Sequence, residues 1–380
     1  MAEPIPPSHI LTVNGGSSSI KFAIFEPGEE PRRLLEGAIE RVGDAAQAIA
    51  GLIDWLNERG ELGSVTVVCH RVVHGGPHHF DPVVVTPEVL ADLRNAIPLD
   101  PNHLPLEIRL IEALHERLPG VRQVACFDTA FHRDLPLPAR MLPIPRSYAD
   151  AGVRRYGFHG LSFTYLLKEL ERQAGSDAAR GRVVLAHLGS GASLAAVRGG
   201  RCLDTTMGLT PTGGLMMGTR TGDLDPGVLL YLARRDGLSL DRIEDLIARR
   251  SGLLGISETS PDIRDLLAKQ STDARASEAI EMFCYHTRKW IGAMTTVLGG
   301  LDTLVFSGGI GEHAPEIRSR ICMGLEFLGL HIDAAANERN DPVISSTEST
   351  VTVRVIPTDE QLMMARMIHN MTIASDGARA

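Results

Sequence analysis

The feature that most restricts what this chain can fold into is an internal repeat. Residues 10–25, ILTVNGGSSSIKFAIF, and residues 183–197, VVLAHLGSGASLAAV, share one plan: a buried strand, a tight Gly/Ser loop and a second strand. The second copy continues through Gly199 and Gly200, a good two-residue hairpin turn, into RCLDTT. Two halves that each open on such a hairpin suggest duplicated domains facing a common cleft. Length agrees, because 380 residues at roughly 150 per domain leave room for two.

Between the two copies, apolar runs alternate with amphipathic stretches, the pattern of an α/β protein. His9–Val13, Ile20–Phe25 and the β-branched run Val65–Val73 read as strands. Leu106, Leu110, Leu114 and Leu118 recur every four residues, which predicts a helix, and Val121–Phe127 follows at once as a strand. Asp128 then stands at the carboxyl end of that strand, where open α/β sheets collect ligands.

Charge narrows the partners. With 38 Lys and Arg against 47 Asp and Glu the formal net charge is −9, which argues against a nucleic acid or an anionic membrane as partner. Small anionic substrates remain open if a few cations are focused in a cleft. No apolar run approaches the roughly 20 residues of a membrane span, and MAEPIPPSHI lacks the basic and apolar regions of a secretory signal, so a cytoplasmic protein is expected. The five cysteines, widely spaced and without a C-x-x-C pair, read as reduced buried thiols.

Several motifs carry chemistry. The loop from Asn14 to Lys21 offers unhindered backbone N–H groups, three hydroxyls and a cation, the groups that cradle phosphate, without the spacing of a Walker loop. Ser307 to Glu312 places three glycines after the strand Thr303–Phe306 and before a helix expected near Ala314, an arrangement suited to a nucleotide. On the strand through His70 and His74, Arg71 and Val73 share a face; a cation beside a β-branched side chain suits a short carboxylate with a methyl tail. His70, His74, His78 and His79 lack a compatible carboxylate, which disfavours a metal cluster there. Arg220 lies in a glycine-rich stretch too long for a simple connection. His159 precedes an amphipathic helix, and Asp262 with Arg264 reads by default as a helix N-terminal ion pair.

Taken together these segments resemble the acetate kinase family, from Val13 to about Arg366 and in matching order. VNGGSSSIK and HRVVHGG look like the family's two signature patterns, and FDTAFH, YGFHG, MGTRTGDLDP, SPDIRDL, SGGIGEHAPEIR and IPTDEQL agree with further family blocks. The resemblance implies an α/β fold of two duplicated ribonuclease-H-like, actin-like ATPase domains with a central cleft. The first would span residues 1–128 with a returning helix at 361–380, and the second, which would bind nucleotide and join a homodimer, residues 129–360. It implies reversible phosphoryl transfer from ATP to acetate, with Mg2+ as the metal and Mn2+ as a substitute.

By the same resemblance, Asn14, Ser17, Ser19 and Lys21 would handle the ATP phosphates, with Asn14 and Glu360 holding the metal. Arg71 and Arg220 would clamp the carboxylate and the moving phosphoryl group, His159 would hydrogen-bond that group, and Asp128 would orient the site. Val73, Leu99, Phe158 and Pro211 would enclose the methyl. His187, Gly189, Ser190, Gly191, Asp262, Ile263, Arg264, Gly309, Ile310, Gly311 and Arg318 would surround the nucleotide.

Two positions depart from the family. Asp100 stands where the family has an active-site His, and Ser190 where it has Asn. A carboxylate facing an anionic substrate at about 4 Å would repel it by about 4 kcal/mol at an effective dielectric near 20, so Asp100 is expected to turn away toward a cation or solvent. His103, three residues on in a proline-stiffened loop, is a candidate for the vacated place. Propionate as acceptor, or a nucleotide sensor that lost its chemistry through these two replacements, are the alternative readings.

Overall fold

The computed structural model describes residues 9–15, 19–40 and 45–377. The chain divides into two compact units. Unit 1 holds the residues up to Arg133, the short segment Gly160–Ser162 and the residues from Asp359 on; unit 2 holds Asp134–His159 and Phe163–Thr358. The placement of Thr129–Arg133, Gly160–Ser162, Asp359 and Glu360 in unit 1 differs from the expected division at residues 128/129 and 360/361. Hydrogen bonding gives one reason, since the Gly160 N–H donates to the Asp128 carbonyl at 2.8 Å and Leu161 packs in the core of unit 1.

Unit 1 is built on strands β1 (His9–Gly15), β2 (Ser19–Glu26), β3 (Arg32–Glu40), β4 (Val65–Val72), β5 (Val83–Val84) and β6 (Arg122–Phe127), in the order β3-β2-β1-β4-β6-β5. The β1–β2–β3 meander is antiparallel, whereas β1, β4 and β6 run parallel. Both faces are covered, which is why the central strands read as continuous apolar runs. Leu11 and Val13 of β1 face the helices Ala45–Glu58 and Leu104–Arg117, packing with Leu52, Leu56, Leu110 and Leu114. Ile10 lies on the opposite face with Cys69, Cys126 and the terminal helix Glu360–Gly377 through Met364 and Ile368. Each fully buried Leu or Ile contributes about 2 kcal/mol of transfer free energy.

Unit 2 repeats this plan. Its strands β7 (Arg182–Leu188), β8 (Ala192–Arg198), β9 (Arg201–Thr205), β10 (Thr303–Ser307) and β11 (Thr352–Val355) lie in the order β9-β8-β7-β10-β11, with β7–β8–β9 antiparallel and β7, β10 and β11 parallel. Order and direction match β3-β2-β1-β4-β6 strand for strand, so the repeat in the sequence corresponds to a repeated sheet. Gly199 and Gly200 turn β8 into β9 with φ of 61° and 78°, a conformation that two L side chains would resist. The long helix Ala274–Leu298, capped by Asp273 and ended by Gly299, buries Ala276, Ile280, Phe283, Ile291 and Met294 along one stripe.

The five cysteines are all buried and none is in a disulfide, in keeping with the reading of reduced buried thiols. Among the described residues no helix is long and apolar enough to cross a membrane.

Candidate active site

In unit 1 the expected residues gather at the carboxyl ends of β1, β4 and β6. Asp128 extends β6 by one residue, its N–H donating to the Val72 carbonyl at 3.0 Å. Its side chain is wholly buried, and Oδ2 accepts both Nε (2.9 Å) and Nη2 (2.5 Å) of Arg71. A planar guanidinium gripped along one edge is fixed in direction. Burial by itself would lower the Arg71 pKa, but Asp128, Glu360 and Glu107 carry it above its ordinary value, so the cation is secure. Removing Asp128 would leave a buried unpaired charge, a loss of about 3–5 kcal/mol.

Gly160 explains how the chain can pass so close to Asp128. A Cβ there would lie 2.1 Å from the Asp128 carbonyl oxygen, so a side chain would break the contact. Val73, buried just past the end of β4, donates its N–H to Glu107 Oε2 at 2.9 Å, and Leu99 is half-buried. Asn14 Nδ2 donates to Glu360 Oε2 at 3.0 Å, bringing the two expected metal-site residues together. Ser19 and Lys21 lie on β2, with Lys21 opposite Asn14 in the pairing; Ser17 lies outside the described residues.

Asp100 is buried and meets His103, whose Nδ1 lies 2.9 Å from Oδ1. Its carboxylate therefore has a hydrogen-bonding partner three residues along its own loop. Two of the four histidines around β4 take separate partners. His70 Nε2 bonds Gln123 Oε1 at 2.6 Å, and burial lowers its pKa to about 4; His79 bonds Asp92 instead.

In unit 2 a second cluster surrounds the β7–β8 loop. His159 adopts a left-handed backbone, φ 58° and ψ 26°, which costs about 1 kcal/mol for a residue with a Cβ. Surrounding contacts hold it there: Nδ1 bonds Ser193 Oγ at 2.9 Å, and the ring stacks on His187 with centroids 4.3 Å apart. Arg220 is held by a hydrogen bond from Nη1 to the Pro211 carbonyl at 2.7 Å. A Cβ built on Gly191 would lie 2.8 Å from Arg220 Nη2 and 3.3 Å from His159 Nε2, so both side chains close over the same glycine. The neighbouring Gly189 faces the Gly309 amide, and the Gly218 N–H donates to the Ser190 carbonyl at 3.1 Å. Phe158 is buried beside His159 in sequence.

The glycine loop after β10 differs from expectation. Gly308–His313 is itself helical, directly after β10, and a second helix, Pro315–Cys322, follows. Glu312 Oε1 accepts from the Gly308 N–H, the Ser307 hydroxyl and the Thr358 N–H, so that helix start is closed by the chain's own carboxylate. Arg318 is fully buried and donates to Gly311 O, Glu312 O, Asn337 and Asn340. It braces Gly311 and Glu312 from behind. Asp262 caps the helix Ile263–Lys269 and pairs with the exposed Arg264, which lowers the Asp262 pKa; the default ion-pair reading describes this segment.

Three residues here escaped the sequence reading: Glu107, Ser193 and Glu312. Only Glu107 left a signal, an acid inside the helix stripe that also carries Leu104, Ile111 and Leu114.

A family model described as the acetokinase family matches residues 41–366 of this chain. The acetate kinase of Rhodopseudomonas palustris strain TIE-1 is 45% identical over 399 residues, covering 97% of this chain and 99% of that protein. The propionate kinase of Citrobacter rodentium is 40% identical over 394 residues, covering 96% and 97%. Among solved structures, the acetate kinase of Porphyromonas gingivalis aligns with a TM-score of 0.87 and 37% identity over 97% of this chain and 100% of that one. The repeated sheet is thus that of a two-domain, actin-like ATPase fold. Matched by the family model over most of its length and by relatives over nearly all of it, the chain belongs to the acetokinase family of phosphotransferases.

Proposed function

We propose that the acceptor is acetate: the enzyme moves the γ-phosphoryl group of ATP to acetate, reversibly and by direct in-line transfer, giving acetyl phosphate and ADP. The observation that carries this reading is the buried edge-on grip of Asp128 on Arg71, with Val73 buried just past the end of β4, one residue beyond the strand that the sequence reading extended through it. A fixed guanidinium beside a β-branched side chain suits a carboxylate with a methyl tail. Leu99, Phe158 and Pro211 supply further apolar contacts to that methyl.

Charge dictates the mechanism. A carboxylic acid with a pKa near 4 is already ionised at neutral pH, so no general base is required. The obstacle is the approach of an anion to an anionic phosphoryl group, followed by a loose transition state whose charge must be neutralised. Arg71, oriented by Asp128, takes the carboxylate; Arg220 and His159 take the moving phosphoryl group. Removing any one of them costs a few kcal/mol in the transition state, about two to three decades in rate.

Asn14 and Glu360, joined by the Nδ2–Oε2 hydrogen bond, carry an amide oxygen and a carboxylate, the hard donors that a small divalent cation would take. Among the described residues no group of three or more His, Cys, Asp or Glu could hold a metal, so Mg2+, or Mn2+ in its place, would be held largely by water and phosphate oxygens. When bound, the ion neutralises phosphate charge. Asn14, Ser19 and Lys21 receive the phosphates. His187, Gly189, Ser190, Gly191, Asp262, Ile263, Arg264, Gly309, Ile310 and Gly311 contact the rest of the nucleotide, and Arg318 acts through the helix Gly308–His313 that it braces.

A homodimer joined through unit 2 is supported by apolar side chains left exposed there, Leu230 and Tyr231 on the helix Pro226–Asp236 and Leu240 on the helix Leu240–Arg249. Sedimentation would test it. The acceptor reading is tested by incubating purified protein with MgATP and acetate and trapping acetyl phosphate as its hydroxamate. Retained ATP binding without product from any short carboxylate would overturn it in favour of a nucleotide sensor. Propionate is a second reading, favoured by the relative named for it, since one methylene changes binding by about 1 kcal/mol; the ratio of kcat/KM values decides.

A further inference from the structure

Glu107 is a buried titratable group for which this mechanism has no use. It sits in the first turn of the helix Leu104–Arg117 with its side chain 2% exposed. Oε2 accepts the Val73 N–H at 2.9 Å. Oε1, equally enclosed, has no hydrogen-bond partner and lies 3.8 Å from Arg71 Nη1. One carboxyl group therefore touches both the cation and the backbone of the apolar wall to which the acceptor has been assigned.

Of the three carboxyl groups that act on Arg71, Asp128 and Glu107 approach its guanidinium within 4 Å, and their geometry is unequal. Asp128 takes two N–H donors at 2.9 and 2.5 Å, whereas Glu107 has only the 3.8 Å approach. An ionised carboxylate with an unsolvated oxygen is far more costly to bury than the neutral acid, so the charge belongs on Asp128 and the proton on Glu107. Burial pushes the Glu107 carboxyl up to about 8; Arg71 and the Val73 N–H oppose the rise, and Asp100 and Asp128 add to it. Among the described residues, Glu360 also acts on Arg71 and Asp128, and His103 stands against Asp100.

We infer that Glu107 is a positioning residue of the acceptor site, held uncharged in neutral solution, and that its ionisation at higher pH closes Arg71 to carboxylates. In its neutral form it holds the Val73 backbone and leaves Arg71 Nη1 to the acceptor anion. Once ionised it competes for Nη1 and adds a negative charge beside it. The inference takes only its ligand from the acceptor reading; the proton on Glu107 stands independently.

The test combines a titration with kinetics. In protein carrying Glu labelled with carbon-13 at Cδ, the Glu107 resonance is assigned by its loss in Glu107→Gln. It should titrate near pH 8, and acetate should raise that midpoint. The acetate KM should rise about tenfold between pH 7 and 9 in the unaltered enzyme and stay flat in Glu107→Gln, with the ATP KM flat in both. Asp100→Asn, which removes one of the charges that raise the Glu107 pKa, should move the midpoint to lower pH and serves if Glu107→Gln does not fold. A midpoint in the ordinary carboxyl range, or an alkaline rise in KM that survives in Glu107→Gln, overturns the inference. A midpoint near 8 that acetate leaves unshifted, in a protein that makes no acetyl phosphate, refutes the acceptor reading and with it only the ligand named here.

Discussion

Replacing Glu107 by Gln should stabilise unit 1 at alkaline pH and change it little at acid pH. The carboxyl has a pKa of 4.5 when free and about 8 when folded, burial being the main cause. Because the folded state holds the proton more tightly, the stability of the neutral acid is complete below pH 4.5 and is lost progressively as pH rises to 8; above that it changes no further. Between pH 5 and 9 the folded chain crosses about three units of this interval, worth about 4 kcal/mol at ~1.4 kcal/mol per unit. Glutamine cannot ionise, so the variant escapes the loss. The observable is a double difference, variant minus parent at pH 9 less the same at pH 5, of about 4 kcal/mol, or about 2 if water reaches the ionised group. Urea unfolding followed by Trp55, which lies edge-on to Phe22 in the unit 1 core, reports this in a Trp290→Phe background. A double difference within about 0.5 kcal/mol of zero would mean that Glu107 is ionised at both pH values, and would refute the reasoning.

Other consequences are direct. Arg71→Lys and Arg220→Lys keep the charge but lose the planar fork, so turnover should fall at least about a hundredfold in each with thermal melting little changed. Asp100→Asn should alter the acetate KM at pH 7 by less than about threefold, because the carboxylate is engaged with His103; an improvement of about tenfold would show that its charge faces the acceptor. Gly160→Ala sets a Cβ 2.1 Å from the Asp128 carbonyl, and should cost about 2 kcal/mol or more in stability and lower turnover by displacing Asp128.

The repeat was legible because its strands are buried on both faces and joined by Gly/Ser loops, so both copies appear as apolar runs with polar breaks. The edge strand β3, RRLLEGAIE, mixes charge and apolar residues and gave no such signal. Arg71, Asp128, His159 and Arg220 were legible from their motifs, but their supports were not. The left-handed backbone at His159 depends on Ser193 and His187, neither adjacent in sequence. Three glycines in a row of six suggested a loop, yet Gly308–His313 is helical with Glu312 closing its start. Glu107 looks like an acid placed for the helix dipole, and becomes a buried group only because β4 brings Val73 and Arg71 against it.

The most direct measurement is the stoichiometry of product formation from MgATP with acetate and with propionate, ADP by a coupled assay and acyl phosphate as hydroxamate. The account predicts one acetyl phosphate for each ADP and a higher kcat/KM for acetate than for propionate. ADP released without acyl phosphate, or no turnover with either acid while ATP remains bound, would contradict it.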